Sequence, residues 1–183
     1  MNKVNPNDVA KWFRNQGIIE DPNSKEGNMK VQKLLFFAQL IYMAENNGQT
    51  MFDEEFKAFK DGVVLESVMQ NYRYKYNKMF SNVNSNELNI DSKLENTLEK
   101  TKAIFGKVSA QELSELSHEF EAWDNYYKKS YKLGFHIKDK SIIPYEELRK
   151  ELDKIKEVLD AYEQTSKYKD VEVEDYWLRL DKF

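Results

Sequence analysis

Cysteine is absent from this 183-residue chain. That gap removes disulfide frameworks, thiolate zinc sites, iron–sulfur ligation and cysteine nucleophiles together. A reducing, cytoplasmic compartment is the simplest setting for such a chain. Histidine is scarce: with His118 and His136 alone, a histidine metal site would need carboxylate help. The His-Glu-x-x-His pattern that His118-Glu119 begins meets Ala122 where its second histidine belongs. There is no glycine-rich phosphate loop and no Gly-x-Ser-x-Gly elbow. The longest apolar stretch, residues 34–44, is interrupted by Gln39 and is far shorter than the ~20 residues that span a bilayer. The polar start MNKVNPNDVAKWFRNQG lacks a signal-peptide core. The expectation is a soluble, cytoplasmic chain with no membrane contact, no metal and no cofactor.

Charge and aromatic side chains fill the sequence instead. Hydrophobic residues make up 40% and aromatic residues 14%, enough for a globular core, while 33% charged residues bring the mean hydropathy to -0.80. The length suits one domain. A net charge of -4 argues against non-specific nucleic-acid or membrane binding and in favour of a protein partner. Carboxylate pairs such as Glu112/Glu115 and Glu119/Glu121 are what 32 acidic residues produce by chance. Without a companion pocket signature they define no acid–base dyad, so no catalytic residue is assigned and the chain reads as a non-enzyme.

Periodicity predicts a mainly helical single domain. Val9, Trp12 and Phe13 after Asn5-Pro6 give a first helix over residues 6–16, stopped by Gly17. Residues 28–47 form a second helix that is apolar around nearly its whole circumference, with Gly48 placed for a left-handed end. A helix without a polar face belongs at the centre of its domain, with Leu34, Leu35 and Phe36 in the core. Residues 52–59 fit either a helical turn or a short strand, and Asp61-Gly62 breaks them from a third helix over 64–76. A polar loop at 82–89, a helix ended by Gly106, and a capping box at Ser109–Glu112 opening a short helix to 117 follow. Helix should continue over 119–131, then one extended segment over 135–143 and a last long helix opened by Pro144. A small sheet should pair residues 55–59 with part of 135–143. The domain spans 1–164, followed by an aromatic and charged tail, 165–183.

Two further surfaces stand out. The run QNYRYKYNKMF at 70–80 interleaves tyrosines with basic residues and could stack bases, although on a helix Tyr72 and Tyr76 share one face and simply pack. The tail carries Tyr176, Trp177 and Phe183 beside Arg179, the residue types that anchor protein interfaces; it can bind in trans or fold back.

The order Lys30-Val31-Gln32-Lys33-Leu34-Leu35-Phe36, then Lys57-Ala58-Phe59 with Gly62-Val63-Val64, then Leu113-Ser-Glu-Leu116-Ser117-His118 and Ala122-Trp123, resembles the Panacea domain. This is the family of SocA-like antitoxins and phage-associated GepA-like proteins, found in toxin–antitoxin operons and on mobile elements. Family patterns carry Glu-Ala-Trp and Gly-Pro-Val where this chain has Lys57-Ala58-Phe59 and Gly62-Val63-Val64. They also carry Thr-His and Pro-Trp where it has Ser117-His118 and Ala122-Trp123. The resemblance implies a protein that binds and neutralises a cognate toxin. Two alternatives are an anti-defence protein that blocks a host immune effector, as an anti-CRISPR does, and a nucleic-acid-binding regulator. Lys33, Leu34, Leu35, Phe36, His118 and Trp123 are read as scaffold, with Trp123 largely buried and the His118 imidazole hydrogen-bonded. The turn residues Lys57, Phe59, Lys60, Asp61, Gly62 and Val63, held rigid between two core helices, are read as the partner surface, with the tail as its rival.

Overall fold

A computed structural model describes residues 3–19, 21, 24–74, 91–132 and 134–166, and of 72–74 the backbone alone. The stripe's side chains beyond Asn71, the 82–89 loop and Tyr176, Trp177 and Phe183 of the tail lie outside them.

Local capping sets where the helices begin. Asn5 accepts the Asn7 N–H at the head of α1 (Pro6–Asn15), and Ser24 accepts the Gly27 N–H at the head of α2 (Lys25–Glu45). From Val31 to Met43 every residue of α2 is buried, and α2 packs against α1, the strand Gly62–Val64 and four of the helices that follow. It is the axis of the molecule. Gly48 closes α2 with φ +75° and donates its N–H to Met43 O at 2.8 Å. Phe36 sits edge-on to Phe56 and Phe120, and Phe37 stacks on Phe105 at 4.3 Å. Burying each such side chain contributes about 1.5 to 3 kcal/mol before entropy is counted.

A three-stranded antiparallel sheet packs against the side of α2. Strand β1 (Phe56–Phe59) is central, with β2 (Gly62–Val64) on one side and β5 (Ile142–Ile143) on the other. The pairing of 55–59 with 135–143 is present, as Phe56 opposite Ile143 and Lys57 opposite Ile142. The β1–β2 hairpin was not expected: Gly62–Val64 is too short for a period-2 signal, and the apolar Val64 and Leu65 read as the start of a helix. That helix, α3 (Glu66–Tyr74), begins just after them.

The chain then forms α4 (Ser92–Phe105), α5 (Ala110–His118) and α6 (Glu121–Ser130), with both bonds of the Ser109/Glu112 capping box made. The segment 135–143 is divided rather than continuous. Strands β3 (Tyr131–Lys132) and β4 (Phe135–His136) form a separate small hairpin, and a 3₁₀ turn (Lys138–Ser141) leads into β5. The last helix is also divided, into α7 (Tyr145–Arg149) and α8 (Leu152–Ser166). Bonds from Lys150 N to Glu147 O, from Glu151 N to Leu148 O and from Lys154 N to Glu151 O tighten the chain into i→i+3 turns there. Glu151 gains a role from that break: its carboxylate accepts the Glu121 and Ala122 N–H groups, capping α6 where Phe120 offers no side-chain acceptor. Among the described residues no helix is long and apolar enough to cross a membrane.

Candidate functional site

Three polar residues of α2 are buried within its apolar circumference, and each one serves backbone groups of the segment that follows. Gln39 Oε1 accepts from Met51 N and Phe52 N. Gln32 forms a two-way pair with Leu65, accepting its N–H at 2.8 Å and donating to its carbonyl at 3.3 Å. Lys33, only 1% exposed, donates from Nζ to Val63 O at 3.0 Å. A polar atom is retained in this core because the chain beside it needs a partner. Burial pushes the Lys33 amine down to about 7, against a smaller upward pull from Asp61.

The β1–β2 turn is fastened from two more sides. Ser114 Oγ of α5 donates to Asp61 O at 2.9 Å, and Ser117 Oγ, pointing back to Ser114 O, packs under Gly62. Gly62 has φ +92°, and a methyl group there would lie 2.7 Å from Lys33 Nζ and closer still to Ser117 Oγ. Glycine is required twice over, for its backbone conformation and for its missing side chain. From α6, Trp123 Nε1 donates to Phe59 O at 2.9 Å. His136 Nε2 donates to Ala58 O at 3.0 Å and its ring lies 4.6 Å from Phe59, so β4 leans on the outer end of β1.

His118 and Trp123 come together as expected, although not in the expected way. Their rings stack at 3.8 Å, Trp123 is half-buried, and His118 Nε2 is buried with no hydrogen-bond partner. Stacking therefore holds the imidazole where a hydrogen bond was anticipated. Burial, then the nearby Lys33 charge, push its pKa down, which favours the neutral ring. The stack continues outward through Tyr127 to Tyr131, with ring centroids 5.1 and 5.7 Å apart.

The turn itself divides into a fastened part and a bare rim. Gly62 and Val63 are buried, Val63 completely, so Val63 is not the surface position expected of it: its side chain faces the core and its carbonyl is held by Lys33. Lys57 is ion-paired with Glu66, whose carboxyl is held below the usual range chiefly by that hydrogen bond. Phe59 is half-buried, whereas Lys60 and Asp61 are exposed, Asp61 pairing with Lys25 at 3.1 Å. Lys33, Ser117 and His118 are reactive residue types, yet Lys33 is closed to solvent and its amine is committed to Val63 O. A groove of about 230 Å³ lies elsewhere, lined by Phe37, Phe105, Leu116, Phe120, Ile155 and Val158. Among the described residues no three His, Asp or Glu side chains gather as metal ligands would.

Sequence reasoning missed the fastening role of Gln32, Gln39 and Ser114. The signal was present in the polar residues interrupting an otherwise apolar helix. Fold and site together define a class: a mainly helical domain around one buried helix, whose polar interruptions lock a β-hairpin against its side. The chain belongs to the antitoxin SocA-like, Panacea domain family, whose profile matches residues 31–124. The matched segment contains every group that fastens the turn from α2, α5 and α6. No curated protein and no solved structure matches the chain.

Proposed function

We propose that this protein neutralises a partner protein by binding it directly, as the antitoxin of a toxin–antitoxin pair, without catalysing a reaction. The observation that carries the reading is the family match over 31–124, the segment that builds the fastened turn. The polar chemistry of that segment supports it. Lys33, Gln32, Ser114 and Trp123 each hold a backbone group of the turn region, which makes them parts of a scaffold. A turn fixed this way loses little conformational entropy on association, so its rim of exposed Lys60 and Asp61 beside half-buried Phe59 is a low-cost contact surface.

The experiment is co-expression with the product of the neighbouring gene. Growth arrest by that product alone, relieved when this chain is present and accompanied by co-purification of the two proteins, is the expected result. A partner that stays toxic and elutes separately overturns the reading.

A further inference from the structure

The large hydrophobic side chains left exposed among the described residues all lie on one hairpin. Tyr131 is 48% exposed, Phe135 76% and Ile137 36%. In this antiparallel pair Tyr131 stands opposite His136 and Lys132 opposite Phe135. Side chains of paired residues share a face, so His136, whose ring lies tilted against Phe59 at 4.6 Å, marks the face turned to the body, and Phe135 with Lys132 marks the outer face. The hairpin is anchored from behind: Tyr131 ends the stack that starts at His118, and Ile137 N donates to Ser130 O at 2.7 Å.

The surroundings are strongly basic. Residues 128–140 hold five lysines against one aspartate, in a chain whose net charge is -4. Lys128 pairs with Asp124 and Lys138 with Glu66, while Lys132 and Lys140 have no ion-pair partner among the described residues. This cationic rim around an aromatic knob starts just beyond residue 124, where the family segment ends.

We infer that the β3–β4 hairpin is a docking knob for a protein surface that carries carboxylates around an apolar pocket, with Phe135 inserted in the pocket and Lys132 and Lys140 meeting the carboxylates. The inference rests on the binding reading above and gives that partner its chemistry. A second copy of this chain is disfavoured because two hairpins face to face would oppose lysine to lysine. A nucleic-acid strand is disfavoured by the acidic remainder of the molecule, which repels a polyanion beyond this small patch.

The test uses the full chain, isotope-labelled and titrated with a short peptide repeating Glu-Glu-Leu-Phe, with its lysine counterpart, and with single-stranded oligothymidylate. The acidic peptide is expected to shift the resonances of Tyr131, Lys132, Phe135 and Ile137, and added salt to weaken it. Phe135→Ser and Lys132→Glu should each weaken it roughly tenfold, with thermal unfolding unchanged because both side chains are exposed. Oligothymidylate binding the hairpin more tightly than the peptide overturns the inference, as does peptide binding elsewhere or nowhere. Loss of a dimer on Phe135→Ser overturns it too. Both variants are then co-expressed with the neighbouring gene product. Loss of neutralisation by the variants supports the knob; full neutralisation by them overturns it and leaves the binding reading standing. If the wild type itself fails to neutralise while the peptide still binds the hairpin, the antitoxin reading falls and the surface stands.

Discussion

Gly62→Ala tests the fastened turn with one methyl group. The added carbon would sit 2.7 Å from Lys33 Nζ and 2.8 Å from Lys33 Cε, and nearer still to Ser117 Oγ. Neither neighbour can step aside without loss. Ser117 is fully buried and donates to Ser114 O at 2.7 Å, while Lys33 is 1% exposed and donates to Val63 O. Holding a non-glycine residue at φ +92° costs about 1 to 3 kcal/mol, overpacking a filled site about 1 to 3, and leaving a buried polar group unpaired a similar amount. These effects overlap, so the expected loss is about 3 to 6 kcal/mol, a large part of a domain's usual stability. Urea denaturation of the purified variant measures it, and at this chain length the melting temperature should fall on the order of ten degrees or more. In a double-mutant cycle, Gly62→Ala should cost less in a Ser117→Ala background, because the nearest obstacle has been removed. A loss below about 1 kcal/mol, or strict additivity with Ser117→Ala, would refute the reasoning.

Lys33 gives a pH signature. Its amine titrates at about 7 in the fold against 10.5 ordinarily, so between those values the unfolded chain holds a proton that the folded chain lacks. Unfolding therefore takes up a proton, and this group adds stability as pH rises from about 7 toward 10.5. Stability curves of wild type and Lys33→Met, compared over that window so that other groups cancel, should diverge in the wild type's favour as pH rises; parallel curves would count against the assignment. Gln39→Leu leaves the Met51 and Phe52 N–H groups without their acceptor and should cost about 2 to 5 kcal/mol in chemical denaturation, with an unchanged midpoint as the contrary result.

The central helix was legible in the sequence because apolar residues surrounding a whole turn have only one place to go. The Ser109/Glu112 box and the left-handed end at Gly48 were legible because capping is local chemistry carried by a few adjacent side chains. The β1–β5 pairing could be expected from two short apolar segments, but the β1–β2 hairpin could not, since three residues carry no usable period. Val63 shows the limit most clearly: beside Asp61-Gly62 it reads as the tip of an exposed turn, and its burial depends on α2 and α5 closing over β2, a non-local fact. Lys33, His118 and Trp123 were read as scaffold and Gly62 as partner surface, while the contacts that put Gly62 against Lys33 and Ser117 required the fold. Phe135 was overlooked for the opposite reason, because an aromatic residue in an alternating segment reads as core and its exposure depends on what fails to cover it.

The proposed role is direct binding of a partner protein. The most direct measurement is neutralisation of the product of the neighbouring gene, scored by growth with the two proteins expressed together and by their elution on size-exclusion chromatography. Restored growth and a single co-eluting complex are expected for the wild type, and both should be lost in a Phe135→Ser/Lys132→Glu double variant whose melting temperature is unchanged. Persistent toxicity with the two proteins eluting apart would contradict the proposed role.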